Sequence, residues 1–276
     1  MKFLKYFFSA GAFFLGSVFF VSNTSCTKNV TEQDTTYKIV KDTVIIKDTT
    51  YDLKDGLVAY YNFLNGNLND SSGFGNNIAF NNAVLTTDRF GHANSAYNFS
   101  GGQYMRVNNS LSLSPNPITL MAIVRFTDFY RGAAWANEIF MKGPADDASG
   151  IYGLRTHPIS YDYSQPIDTA TEIFTPFYGD QAAGSVLDPT SYIRGGNWYI
   201  LIYTYDGTIA RTYINGSLTQ ANLRPLGFNA NPYDLYIGKT ENVNYPYYFT
   251  GDIDEIRIYH KALSQQLITQ FNKLTY

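Results

Sequence analysis

Residues 198–220 read WYILIYTYDGTIARTYINGSLTQ, strand-like runs punctuated by Asp206-Gly207 and Asn215-Gly216. Such dipeptides tolerate the positive φ that a tight hairpin turn demands, and the aromatic and β-branched residues around them favour extended backbone. The stretch therefore predicts an antiparallel meander.

From Gly56 onward the same pattern recurs. Short β-prone runs at 57–63, 78–85, 104–107, 118–126, 138–142, 151–155, 198–205, 209–214, 235–238 and 253–259 alternate with clusters of Gly, Asn, Asp and Pro. That is the spacing of a sandwich or barrel rather than of βαβ units. Aromatic residues make up 17% of the chain and charged residues only 16%, which is rich in strand formers and poor in the residues that fill helix surfaces. Only 264–274 reads as helix, with Leu267, Phe271 and Leu274 on one face and Ser264 placed to cap the first turn. The expected fold class is all-β, a two-sheet antiparallel sandwich with a short C-terminal helix.

The N-terminus has a different grammar. Lys2 and Lys5 precede an apolar run over 7–21, the charge-then-apolar order of a secretory signal. The run ends at Ser22-Asn23-Thr24, short of the roughly 20 apolar residues that span a membrane. Cys26, the one cysteine of the chain, follows directly and has no partner for an intramolecular disulfide. Beyond it the sequence is charged and Thr-rich, with Lys-Asp-Thr at 41–43 and again at 47–49. Residues 26–54 therefore predict an extended low-complexity tether, with an edge strand from Ile39, Val40, Val44, Ile45 and Ile46 as the alternative. Residues 55–276 remain for one large β domain. A net charge of -3 without clustered Lys and Arg argues against nucleic acid as a partner.

Three segments then carry a family resemblance: GLVAYYNFLNGNLNDSSGFGNN at 56–77, the meander from Trp198, and GDIDEIRIYHKALS at 251–264. In order and spacing they resemble the laminin-G-like domains grouped with concanavalin-A-like lectins and glucanases. The resemblance implies a jelly roll whose first and last strands are neighbours. The N-terminal arrangement resembles a bacterial, Bacteroidetes-type lipoprotein signal. Cleavage after Ser25 would remove 1–25 as signal peptide and leave Cys26 acylated, the anchor of an outer-membrane lipoprotein facing the periplasm or the cell surface.

Strand alternation around Ile256 and Ile258 places Asp254 on the core side, where a carboxylate needs a partner, and Glu255 with Arg257 on the outer face. In the family, an Asp-x-x-Gly loop and the aspartate that begins the final strand share a calcium ion. The resemblance thus implies calcium held by Asp70, Asn76 and Asp254. The alternative is that Asp70 and Asn76 build a turn through side-chain to backbone bonds, while Asp254 meets Arg257, Arg211 or a loop amide.

The same sandwich carries glucanases, whose Glu-x-Asp-x-x-Glu strand supplies an acid and a nucleophile. The nearest string here, DIDEIR at 252–257, lacks the first glutamate and has Ile256 and Arg257 where the second is expected. His92, His157 and His260 are scattered, and no Gly-x-Ser-x-Gly elbow occurs. The expectation is a binding protein and not an enzyme, with glycoside hydrolysis the least favoured alternative. Sugars stack on rings, so Tyr245, Tyr247, Tyr248 and Trp135 are the ligand-binding candidates. The expected partner is a glycan, or in the alternative a cell-surface protein bound by an adhesive module. The membrane is touched only through the lipid anchor.

Overall fold

The computed structural model describes residues 29–32, 35–40, 43–46, 49–129, 136–144, 152–158, 171–178, 181–182, 192–223 and 230–275. The expected signal peptide 1–25, Cys26 and Trp135 lie outside the described residues. The chain divides into two units between Thr50 and Tyr51.

Four short strands, β1 (Asn29–Glu32), β2 (Thr35–Val40), β3 (Thr43–Ile46) and β4 (Thr49–Asp52), pair in that order. The β1 and β2 register runs antiparallel from Asn29 opposite Lys38 to Glu32 opposite Thr35, and β2 pairs with β3 in the same sense. The segment expected to run as a single extended tether thus pairs with itself. Its runs are dominated by Thr, Val and Ile, whose branched Cβ atoms favour extended backbone that a neighbouring run can bond.

The second unit contains β5 (Leu57–Tyr61), β6 (Ile78–Asn81), β7 (Val84–Thr86), β8 (Ala96–Ser100), β9 (Met105–Val107) and β10 (Ile118–Phe126). It continues through β11 (Asn137–Lys142), β12 (Tyr152–Pro158), β13 (Thr171–Phe174), β14 (Phe177–Tyr178), β15 (Gln181–Ala182) and β16 (Tyr192–Arg194). β17 (Trp198–Tyr205), β18 (Ile209–Ile214), β19 (Ser217–Leu223), β20 (Leu235–Ile237) and β21 (Thr250–Tyr259) complete the strands, and the helix α1 (Gln265–Thr275) follows.

These strands form two antiparallel sheets, the sandwich expected. The first has the order β19-β18-β17-β10-β21-β8-β7, with β5 also on β21, so the first and last strands of the unit are neighbours. The second has the order β15-β14-β12-β11-β20-β9-β6, with β13 on β12 and β16 on β13. Alternate side chains fill the space between. Leu120, Ala122 and Val124 of β10, Leu201 and Tyr203 of β17, and Ile256 and Ile258 of β21 meet Met105, Val107, Leu154, Leu235 and Ile237 of the second sheet in one buried cluster. Each Val, Leu, Ile or Met among them contributes about 1.5–3 kcal/mol on leaving water.

The outer face of the first sheet is also covered. α1 lies across it: Thr269 Oγ1 donates to Gly216 O at 3.3 Å, Phe271 stands 5.2 Å from the Arg257 guanidinium, and Leu267 and Ile268 are buried. Ser264 caps the helix as expected, its Oγ accepting the Leu267 N–H at 3.2 Å. The run 78–85 does not form one strand. Asn81 Oδ1 accepts the Ala83 N–H at 2.8 Å, a side-chain turn that breaks the run and sends β6 to the second sheet and β7 to the first.

Candidate functional site

The structure brings Asp70 and Asn76 together in one loop and gives Asp254 a different partner. Asp70 Oδ1 accepts the N–H groups of Tyr60 at 2.9 Å and Ser72 at 2.8 Å. Its Oδ2 accepts Ser72 Oγ at 2.7 Å and the Asn76 N–H at 3.0 Å. Asn76 donates through Nδ2 to Val58 O at 2.7 Å, and its Oδ1 accepts Ser110 Oγ at 2.6 Å. A carboxylate offers about four acceptor positions, and donors occupy all four on Asp70.

Asp254 is reached by a different route, because the register of β21 against β10 slips. Ile123 stands opposite Glu255 and Val124 opposite Ile253, which leaves Asp254 as the extra residue of a β-bulge. The bulge resets the alternation, so Ile253 and Ile256 both reach the core. The expectation that Asp254 shares the core side with Ile256 and Ile258 is therefore corrected. Asp254 instead meets Arg89, whose Nη1 lies 2.5 Å from Oδ2 and whose backbone N–H donates to the same oxygen at 3.2 Å. Burial pushes its carboxyl up to about 6, against the pull of the Arg89 charge. Glu255 and Arg257 do satisfy each other, Nε to Oε1 at 2.5 Å. The three residues implied as calcium ligands thus face hydrogen-bond donors and a guanidinium, whereas a hard cation gathers about six to eight oxygens. They do not fit a shared calcium site. Among the described residues, no group of three or more His, Cys, Asp or Glu side chains is placed to hold a metal.

The tyrosines of the 240–249 loop divide by burial. Thr240 Oγ1 donates to Tyr245 O at 2.9 Å, and Asn242 Oδ1 accepts the N–H groups of Asn244 at 2.8 Å and Tyr245 at 3.2 Å, so the loop is shaped from within. Tyr245 is 40% exposed and stacks on Tyr247, which is buried, with ring centroids 6.1 Å apart. Tyr247 O accepts the Glu138 N–H at 2.9 Å, and Tyr248 bridges to Glu138, which docks the loop on β11. Of the described tyrosines of this loop, Tyr245 is the ring most open to a ligand.

A larger aromatic surface lies where β6, β9 and β20 adjoin. Phe80 stands opposite Arg106 and Arg106 opposite Tyr236, while Met105, Val107, Leu235 and Ile237 point into the core, so Arg106 and Tyr236 point outward. The Phe80 ring stacks on Tyr104 at 4.8 Å, and Tyr104 tilts against Tyr236 at 5.9 Å. Lys239 Nζ sits 4.4 Å from the Tyr104 centroid and 5.0 Å from that of Tyr236. Arg106 Nε lies 3.8 Å from Asp234 Oδ2. Burial lowers the Lys239 ammonium and raises the Glu241 carboxyl, whose rise the Asp234 charge reinforces. The surface therefore offers stacked rings rimmed by charges of both signs. Sequence reading missed it because the rings are far apart in the chain, Phe80 on β6, Tyr104 just before β9 and Tyr236 on β20.

Glu138, farther along the same sheet, is fully buried, with Arg155 Nη1 3.5 Å from its Oε1. Burial pushes its carboxyl up to about 7, against the pull of Arg155. Its side chain is closed off from solvent. The aromatic surface of Phe80, Tyr104 and Tyr236 offers ring stacking and hydrogen bonding.

Against known proteins, the family described as the concanavalin A-like lectin/glucanases superfamily matches residues 99–269, more than half of the chain. No curated protein matches the sequence. Among solved structures, domain 4 of AbnA, a GH43 extracellular arabinanase from Geobacillus stearothermophilus in complex with arabinotriose, aligns with a TM-score of 0.56 and 22% identity. That alignment covers 78% of this chain and 98% of the domain. The botulinum neurotoxin serotype D binding domain aligns with a TM-score of 0.55 and 17% identity over 80% of this chain. The binding domain of Paraclostridial Mosquitocidal Protein 1 aligns with a TM-score of 0.56 and 15% identity over 79%. This chain spans about half the length of those two domains, covering 51% and 52% of them.

Proposed function

The chain belongs to the concanavalin A-like lectin/glucanases superfamily, and from that premise we propose that it is an exported, lipid-anchored binding module that recognises carbohydrate at the cell envelope. The observation that carries the ligand class is the stack of Phe80 on Tyr104, 4.8 Å apart, with Phe80 39% exposed on the outward face. Sugars present apolar CH faces to such rings, while Arg106, Asp234 and Glu241 stand where hydroxyls seek donors and acceptors. A structural relative that holds arabinotriose supports the class. Export and anchoring rest on the charged and apolar leader and on Cys26.

The test is a glycan array on the purified chain, with arabino-oligosaccharides included, followed by titration of the best ligand against Tyr104→Ala and Tyr245→Ala. Loss of about tenfold in affinity for Tyr104→Ala is expected, the worth of one stacked ring. Binding untouched by Tyr104→Ala moves the site elsewhere, and silence across the array sinks the carbohydrate reading. A second reading, a surface module that binds protein, takes support from the likeness to a neurotoxin receptor binding domain. Silence on glycans together with a saturable protein partner would favour it. Cys26→Ala is expected to leave export intact and release the protein from the membrane fraction.

A further inference from the structure

We propose that the Arg89 guanidinium is the cation that ties the loop between β7 and β8 to the last strand, in the role the family resemblance gives to calcium. The sandwich is then stable without a metal.

The loop is first built by its own residues. Asp88 Oδ1 accepts the N–H groups of Phe90 at 2.9 Å and His92 at 2.8 Å, and Asp88 Oδ2 meets His92 Nδ1 at 2.8 Å. Arg89, held between them, reaches β21 at its bulge. Its Nη1 and its backbone N–H both bond Asp254 Oδ2, and Nη2 lies 4.0 Å from Glu255 Oε2. Only 11% of the Arg89 side chain and 6% of the Asp254 side chain are exposed, so the pair is little screened by water. The Phe90 ring stands 4.4 Å from the guanidinium carbon and shields one face of it.

The charges at this end of the fold balance without a metal. Glu255 passes from Arg89 to Arg257, whose Nη2 donates to Tyr60 OH at 3.1 Å and whose Nη1 donates to Tyr259 OH at 3.4 Å. Tyr259 OH in turn donates to Leu53 O at 3.1 Å. Two carboxylates, Asp254 and Glu255, thus face two guanidiniums, Arg89 and Arg257, in one chain that joins the loop, the bulge and the first strand of the sandwich. A divalent ion placed at Asp254 would have to displace Arg89 and would add two positive charges beside Arg257. The oxygens that would complete its shell on Asp70 are already filled by N–H and O–H donors.

Thermal melting of the purified chain in calcium and in chelator, alongside Arg89→Met and Arg89→Lys, tests the proposal. The wild-type midpoint is expected to be the same in both buffers, and Arg89→Met to lower it by about 5 °C or more. Arg89→Lys keeps the charge without the planar fork and is expected to lose less while staying indifferent to chelator. A wild-type midpoint that falls in chelator and returns with calcium overturns the proposal. So does an Arg89→Met protein that melts like the wild type. Should Arg89→Met fail to fold, the two buffers applied to the wild type and to Arg89→Lys decide the matter, since a calcium-dependent midpoint in either overturns it.

Discussion

Lys142 turns its ammonium on Asn231 twice over, donating to the backbone oxygen at 3.1 Å and to Oδ1 at 2.7 Å. Asn109 Oδ1 at 2.8 Å and Tyr233 O at 2.7 Å complete a cage of neutral oxygens around a residue with no solvent exposure. Burial lowers the ammonium to about 8, while the charges of Asp234 and Glu241 hold it up. The cage joins the end of β11 to the segments that precede β10 and β20, and so fixes the approach to Asp234 on the aromatic surface.

Lys142→Met keeps most of the side-chain volume but leaves those oxygens facing a thioether. Asn231 Oδ1 keeps the Tyr233 N–H at 3.1 Å, so the cost is that of the charge-assisted bonds lost from a buried site, and a destabilisation of about 1.5–3 kcal/mol in denaturant unfolding is expected. A loss under about 1 kcal/mol would show that water replaces the ammonium without penalty.

Glu138 predicts a pH dependence of the opposite kind to acid denaturation. Its folded value of about 7 lies above the ordinary 4.5, because burial outweighs the attraction of Arg155. A carboxyl raised in this way stabilises the fold fully below about pH 4.5 and loses that contribution as pH climbs through about 7. The whole effect is about 3 kcal/mol at most. His157, lowered to about 4 by burial, works in the other direction but is common to wild type and mutant. Unfolding free energies at pH 4, 6 and 8 are therefore compared between wild type and Glu138→Gln. The wild type should lose about 2–3 kcal/mol relative to the mutant across that range; parallel curves would remove Glu138 as the titrating group.

The strands that were legible in the sequence are the central ones. Runs read at 118–126, 198–205 and 209–214 coincide with β10, β17 and β18. Each has partners on both sides, and the turns beside them need residues that accept positive φ, as Gly207, Asn215 and Gly216 do at 98°, 50° and 75°. The short strands β13 to β16 lie in a stretch rich in Pro, Gly and Tyr, where a neighbour's hydrogen bonds and not local propensity create the strand. Asp254 was misplaced for a different reason. Period-two alternation holds only where no bulge intervenes, and the residue that explains Asp254, Arg89, lies 165 positions away. The aromatic surface was illegible on the same ground, since Phe80, Tyr104 and Tyr236 acquire a common face only through pairing.

Gly238 links that surface to the core and carries the sharpest steric prediction. It sits at a φ of 86°, a conformation L side chains rarely adopt, between β20 and Lys239. A Cβ there would stand 2.6 Å from Cδ1 and 2.7 Å from Cε1 of Phe99, and 3.1 Å from Gln103 O. Phe99 is fully buried and packs edge-on against Phe249 at 5.8 Å, so it has no free space into which to retreat. The Gly238 N–H also donates to Ile139 O at 2.8 Å and its carbonyl accepts the Phe249 N–H at 2.9 Å, which leaves the backbone little room to turn. Gly238→Ala is expected to cost about 2–4 kcal/mol from strain and overpacking together. It should also shift Lys239 off the Tyr104 and Tyr236 rings, seen as a change in near-ultraviolet tyrosine circular dichroism below the melting transition. Unchanged stability with an unchanged tyrosine spectrum would mean that Phe99 yields, and that the surface is not held from beneath by this contact.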